Sequence, residues 1–201
     1  MAAIAPSGVR VGCRLIREGD EAHLLPAEAY SIAARQPAMR RASGAARSIA
    51  RGLLADIGIN DFALLRTPSG PPAWPEGIIG SLAHDDDMAV VAVTPVGHIS
   101  SLGIDVEPAQ PLPEDVFALV ATPADRTDAT DRHLAGRILF AAKEAVYKAV
   151  YPLDREVLGY EDITVDLNAG HATTKTGRKA RLAYCVAPRV VVLAFVERQA
   201  R

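Results

Sequence analysis

The sequence predicts an α+β fold made of two similar halves joined near residue 100. Three observations lead there. The order strand, helix, strands occurs twice along the chain. Apolar residues recur with period 2 in some segments and period 3.6 in others. The 201 residues are 49% hydrophobic, enough for one large domain or two small fused ones, and folding such a chain buries about 70% of its extended surface.

The elements follow in order. Val9, Val11, Cys13 and Leu15 alternate with Arg10, Gly12, Arg14 and Ile16, which reads as a first strand. A helical stretch starts at about Ala27, is interrupted at Pro37 and resumes from about Ala38 to Ile57. Ala42, Ala46, Ile49, Leu53 and Ile57 form its apolar stripe, and Gly58 stands where a C-cap is needed. Residues 67–77, TPSGPPAWPEG, are rich in Pro and Gly and predict a loop. Strand-like runs follow at about 78–82 and 88–94, and 99–107 reads as a strand ending in an acidic pair. The Pro- and Asp-rich stretch 108–129 predicts a loop with a short helix near Glu114–Val120. A long helix is expected from about 130 to 151, stopping before Pro152. Ile163, Val165 and Leu167 alternate as a strand, a polar turn follows, and strands at 181–187 and 189–196 flank Pro188.

Composition excludes several function classes. A net charge of −2 gives no global pull toward nucleic acid or an anionic membrane. The N-terminus has neither a basic start nor a long apolar core, and no run approaches 18 apolar residues, so a soluble cytoplasmic chain is expected. Cys13 and Cys185 lie in unrelated segments without a CxxC, which argues for reduced thiols and against zinc. Basic residues comprise 18 Arg and only 4 Lys, and two of those lysines, Lys143 and Lys148, flank one glutamate.

In SLGIDVEP, Asp105 and Glu107 are two apart on a strand, so both carboxylates face one side. Side by side they repel, and a hard cation such as magnesium relieves this; an exposed strand end with two solvated acids is the other reading. On the long helix, Leu134, Ile138, Ala141, Ala145 and Ala149 make the core stripe, with Phe140, Glu144, Lys148 and Tyr151 on one flank. Glu144 and Lys148, at i and i+4, suit a surface ion pair of about 0.3–0.5 kcal/mol. Lys143 points away from that stripe and is expected to be exposed or aimed at a ligand. Residues 35–51 hold five arginines and no acid, and Arg40, Arg47 and Arg51 fall together on the wheel, opposite the apolar stripe. Such a face is either solvated or phosphate-binding. Asp85, Asp86 and Asp87 read as a solvated turn.

Four motifs in order then resemble the phosphopantetheinyl transferase family, in its two-lobed form of about 200 residues and more narrowly its enterobactin-synthase-type members. They are Trp74-Pro75-Glu76-Gly77 through Gly80-Ser81-Leu82-Ala83-His84; Gly103-Ile104-Asp105-Val106-Glu107; Phe140 to Lys148, read as Phe-x-x-Lys-Glu-Ala-x-x-Lys; and Pro152-Leu153 with Leu158-Gly159-Tyr160-Glu161-Asp162. Ala46-Arg47-x-x-Ala50-Arg51 resembles the family's arginine helix.

The resemblance implies two pseudo-symmetric halves, each a long helix packed on a small antiparallel sheet, with the active site in the cleft between them. Residues 1–100 would carry coenzyme A phosphate binding and 101–201 the metal site and catalytic helix. It further implies transfer of phosphopantetheine from coenzyme A to a serine of an apo carrier protein, by a monomer that releases 3′,5′-ADP. Magnesium would be held by Asp105, Glu107 and Glu144. Catalysis would rest on Asp105, Glu144 and Lys148, with Glu144 or a magnesium-bound water as the base. Coenzyme A would meet Arg40, Arg47, Arg51, Arg66, Ala83, His84, Lys143 and Leu158 besides Asp105, Glu144 and Lys148, with Arg47 favoured for the 3′-phosphate. Three positions depart from the pattern: Ala83 and Ala141 stand where Ser or Thr is usual, and Asp85 where Cys is common. A basic residue often precedes the Pro-x-Trp segment; here Gly70 and Pro71 do, and Arg66 upstream is the substitute.

Overall fold

The computed structural model describes residues 5–32, 36–68, 70–127 and 132–198. The chain divides into two compact units, Met1–Val96 and Gly97–Arg201.

In the first unit, strands β1 (Arg10–Leu15), β2 (Ile78–His84) and β3 (Met88–Pro95) form an antiparallel sheet in the order β1-β3-β2. A short helix α1 (Pro26–Ser31) precedes the long helix α2 (Pro37–Ala55), which opens on Pro37 at a position whose N–H has no intrahelical partner anyway. Ala45, Ala46 and Ala50 of α2 pack with Ala89, Val91 and Val93 of β3 and with Leu64. Small residues let helix and sheet approach closely, and the fully buried positions run through 46, 50 and 54, with Ile49 and Leu53 of the expected stripe at the margin. The helix is covered on a second side by the turn Asp20–His23, where a Cβ on Gly44 would fall 1.9 Å from the carbonyl oxygen of Asp20. One expectation is corrected here: Arg47, placed opposite the apolar stripe by the wheel, is only 4% exposed, with the segment at Leu64 lying over it. Trp74 lies across β2, with its ring carbons 2.4–2.6 Å from where a Cβ on Gly80 would be, so only glycine fits there.

The second unit carries a five-stranded antiparallel sheet in the order β4-β8-β7-β6-β5. Its elements are β4 (Ile99–Pro108), α3 (Glu114–Val120), α4 (Ala135–Asp154), β5 (Ile163–Asp166), β6 (His171–Thr174), β7 (Lys179–Cys185) and β8 (Arg189–Glu197). Helix α4 lies against the sheet, and Ile138, Ala141, Ala142, Ala145, Val146 and Ala149 form one core with Ile163, Val165, Val190 and Val192. Each unit is thus a long helix on an antiparallel sheet, the α+β class expected.

Three boundaries differ from the sequence reading. The supposed polar turn after Leu167 contains β6, whose HATT buries Ala172 and Thr174 alternately; four residues with one apolar side chain give too little period-2 signal. Residues 130 and 131 of the expected helix lie outside the described residues, 132–134 form a turn, and α4 starts at Ala135. It also runs through Pro152 to Asp154. In the last turn, proline forfeits one backbone bond, and Arg155 in the left-handed region (φ 55°) ends the helix. The turn between β7 and β8 holds a cis Ala187–Pro188 bond.

Candidate active site

The site is built where α4 crosses β4. Gly103, Asp105 and Glu107 alternate along β4 and share one face. A Cβ on Gly103 would lie 2.0 Å from the carbonyl oxygen of Ala145, 2.7 Å from the nitrogen of Ala149 and 2.9 Å from Cβ of Lys148. The helix backbone therefore rests directly on the strand, which carries Glu144 and Lys148 to the strand's acids. Lys148 Nζ donates to Asp105 Oδ1 at 2.6 Å and to the carbonyl of Ile104 at 3.2 Å. The expected Glu144–Lys148 surface pair is replaced by this contact across the helix–strand interface.

Asp105 is 6% exposed, and its second oxygen, Oδ2, is buried with no hydrogen-bond partner. Burial pushes its carboxyl above the ordinary range, Lys148 pulls the other way, and the Glu144 charge adds to the rise. Glu107 accepts a 2.8 Å bond from Arg137 Nη1, while Arg137 also donates to the carbonyls of Gln110 and Pro111. Glu144 Oε1 accepts a 2.8 Å bond from the hydroxyl of Tyr160, whose ring packs on Phe140 at 5.9 Å between centroids. Burial pushes the Tyr160 phenol up, and the hydrogen bond to Glu144 and the charges of Glu144, Asp105 and Glu107 push it further. One hydroxyl thus feels all three acids.

The donor set suits a hard divalent cation: three carboxylates, all oxygen, one with an unpartnered buried oxygen. Among the described residues no three Asp, Glu, His or Cys side chains converge as a metal cluster. Each acid has its own partner in this structure: Asp105 is held by Lys148, Glu107 by Arg137 and Glu144 by Tyr160.

Lys143 requires a correction. It is wholly buried rather than exposed or ligand-facing. Its ammonium pairs with Asp125 Oδ2 at 2.8 Å and donates to the carbonyls of Val120 (2.8 Å) and Tyr160 (3.0 Å). The side of α4 away from the sheet is covered by the segment after α3 and by the turn at Tyr160, which a wheel cannot reveal. Leu158 is 9% exposed and belongs to the core of this unit.

In the first unit, Arg47 Nε donates to the carbonyl of Leu64 at 2.9 Å and its Nη1 to that of Ser43 at 3.3 Å. Burial lowers its pKa, the Glu28 charge raises it, and Arg51 and Arg66 lower it, so three arginines share one neighbourhood. Arg51 Nη1 lies 2.8 Å from both oxygens of Glu28, which is wholly buried and also accepts from the backbone N–H of Leu25 and Leu64. Arg66 is exposed, with Nε donating to the carbonyl of Gly70 at 3.1 Å. Arg40 and His84 are half-buried and Ala83 is buried. Arg35, the first of the five arginines, lies outside the described residues. Asp85 Oδ1 accepts from the N–H of Asp87 and of Met88, closing the turn read from sequence.

Arg137, Asp125 and Glu28 carry no motif in the sequence, and Tyr160 enters there only within the Leu158–Asp162 motif, without a role. Arg137 had a signal, since it precedes Glu144 by seven residues and so shares its flank of α4.

Comparison with known proteins gives the family. Residues 27–94 match the 4′-phosphopantetheinyl transferase N-terminal domain and residues 101–196 the 4′-phosphopantetheinyl transferase superfamily. The chain is 38% identical to the 4′-phosphopantetheinyl transferase Npt of Nocardia iowensis, over 87% of this chain and 80% of that one. It is 36% identical to the 4′-phosphopantetheinyl transferase Svp of Streptomyces mobaraensis, over 76% of this chain and 65% of that one. It is 37% identical to the 4′-phosphopantetheinyl transferase PptT of Mycobacterium tuberculosis, over 77% and 69%. Two matches in series cover most of the chain, the second spans the crossing of β4 and α4, and the chain is an enzyme belonging to the 4′-phosphopantetheinyl transferase superfamily.

Proposed function

We propose that this enzyme moves the 4′-phosphopantetheine arm of coenzyme A onto a serine of an apo carrier protein, releases 3′,5′-ADP and depends on magnesium. The observation that carries the reading is the buried Asp105, bonded to Lys148 through one oxygen and unpartnered at the other, with its charge and those of Glu107 and Glu144 all felt at the Tyr160 hydroxyl.

In this reaction a serine Oγ–phosphorus bond forms and the pyrophosphate P–O bond breaks, the electron pair leaving on the 5′-phosphate of the adenosine bisphosphate. Positioning and charge neutralisation do most of that work. Asp105, Glu107 and Glu144 would hold magnesium, which when bound neutralises charge on the pyrophosphate oxygens. Lys148, fixed by Asp105, presents its positive charge to the leaving phosphate. Of the chain's own groups, Glu144 is the one to take the serine proton, with Tyr160 ordering its other oxygen.

For the 3′-phosphate, the exposed Arg66, with Arg40 and His84, has surface to offer. Arg47 and Arg51 are engaged with Leu64, Ser43 and Glu28, which supports a bracing role beneath such a site. Among the described residues no helix is long and apolar enough to cross a membrane. We place the protein in the cytoplasm as a monomer whose partners are coenzyme A and the carrier.

Incubation with coenzyme A, magnesium and a panel of apo fatty-acid, polyketide and nonribosomal-peptide carriers tests this. A phosphopantetheine mass gain on at least one carrier is expected, lost in Glu144→Gln. Release of adenosine bisphosphate without any gain would make it a hydrolase, and neither product would make it a binder.

A further inference from the structure

Two neighbours on α4 grip the same residue from opposite ends. Lys143 donates to the backbone carbonyl of Tyr160 at 3.0 Å, and Glu144 accepts from its hydroxyl at 2.8 Å. Lys143 is wholly buried and has three partners for its three ammonium protons: Asp125 Oδ2, the carbonyl of Val120 and that of Tyr160. Asp125 is as fully engaged. Its Oδ2 accepts from the N–H (2.8 Å) and hydroxyl (3.0 Å) of Thr122, and its Oδ1 from the N–H of Val165 at 2.8 Å. The pair therefore ties the end of α3, strand β5 at Val165 and the turn at Tyr160 to one point on α4.

A buried ion pair is a poor source of stability, because desolvating two charges offsets most of their attraction, and apolar residues of like volume serve as well. What a pair with fixed hydrogen bonds supplies, and an apolar contact does not, is direction. Here the direction given is that of the Tyr160 main chain, and the phenol at the other end of that residue meets Glu144. The ring is steadied in between by Phe140.

We propose that Lys143 and Asp125 are positioning residues that act through Tyr160 to hold Glu144 in its working orientation. One carboxylate oxygen of Glu144 is fixed by the phenol, and the other is left for the reaction. Lys143 itself meets no substrate. The inference rests on Glu144 being the reacting acid, and the test separates the two claims.

The test measures transfer from coenzyme A to an apo carrier, with kcat and KM for coenzyme A determined separately. Glu144→Gln checks the underlying reading: a fall below tenfold removes Glu144 from the chemistry. With that fall established, Tyr160→Phe should lower kcat about five- to thirtyfold, leave KM within about twofold and keep the thermal transition close to that of the parent. Lys143→Met should lower kcat in the parent but change it less than about threefold in the Tyr160→Phe background, since its effect runs through a hydroxyl already gone. Should Lys143→Met fail to fold, Asp125→Asn takes its place in the same pairing. A Tyr160→Phe enzyme with unchanged kcat overturns the proposal. So does a loss that falls on KM alone, or full additivity of the two substitutions, either of which marks Lys143 as a substrate contact or a merely structural group.

Discussion

Gly103 tests how far the site depends on the approach of α4 to β4. In Gly103→Ala the added Cβ would sit 2.0 Å from the carbonyl oxygen of Ala145, and ordinary contact begins at 3.4 Å. The obstacle is helix backbone on two sides, Ala145 and Ala149, so no side chain can turn away. Helix and strand must part by about 1.4 Å, the difference of those two distances. Overpacking of this kind costs about 1–3 kcal/mol, which lowers Tm by about 2–12 °C in a chain of this length. The chemistry should suffer more than the fold. The Lys148–Asp105 bond is 2.6 Å long, and a shift of that size carries it beyond hydrogen-bond reach. Misplacing a reacting group by about 1 Å costs about a hundredfold in rate. Thermal unfolding and the carrier-transfer assay, run on the same preparation below the transition, read the two effects. If Tm stays within about 1 °C and turnover within twofold of the parent, the close approach is not what assembles the site.

Four further outcomes are expected. Asp105→Asn should abolish most transfer yet raise Tm at neutral pH. The folded-state pKa of Asp105 lies above its unfolded value, so the folded form binds the extra proton and loses stability as pH rises through that window; a pH series of Tm should show the gain of the Asn variant vanish in acid, and equal Tm values throughout would refute the sign. Arg47→Ala should cost stability, about 1–3 kcal/mol for the carbonyl of Leu64 left without its donor, and weaken coenzyme A and its 3′-dephospho form alike. Arg66→Ala should instead weaken coenzyme A selectively by isothermal titration, and equal losses for both ligands would move the 3′-phosphate site elsewhere. Removal of magnesium by chelation should stop transfer reversibly, and turnover that persists in excess chelator would refute the metal assignment.

Much of the fold could be read because period 2 and period 3.6 are local signals. Val9 to Leu15 and Ile163 to Leu167 show the first and α4 the second, while 189–197 is the continuous apolar run of a strand buried on both faces. The failures came where locality ends. β6 is four polar-looking residues that become a strand only because β5 and β7 pair with both sides of it. The faces of α2 and α4 were misjudged for Arg47 and Lys143 because a wheel shows one buried stripe, while each helix is covered by a loop on a second side as well. At the site, Asp105 with Glu107 and Glu144 with Lys148 could be grouped because spacings of two on a strand and four on a helix dictate shared faces. Arg137, Tyr160 and Asp125 pair with residues 30, 16 and 18 positions away, and no spacing rule reaches that far. Gly103 stands between: its motif was visible, but the reason for glycine needed the helix backbone in place.

The contacts of the acids explain why such a site would wait for its metal. Asp105, Glu107 and Glu144 bring three negative charges, and their partners Lys148 and Arg137 return two. Tyr160 returns none, because the same acids that surround its phenol hold it protonated. The cluster is thus left about one charge negative, and a coenzyme A pyrophosphate approaching it meets net repulsion. A divalent cation added to the same residues turns that balance to about one charge positive. The sign of the field, not merely its strength, then depends on the proposed magnesium. Lys148 is central to the proposal because the positive charge it would offer to the leaving phosphate is also the charge that steadies Asp105. On that reading Asp105, Glu107 and Glu144 would hold the cation, and Lys148 would keep its charge beside the substrate phosphate. On the proposed reading, metal with coenzyme A would bind first and the carrier serine second, since only the filled site would present an electrophile that the serine oxygen can approach.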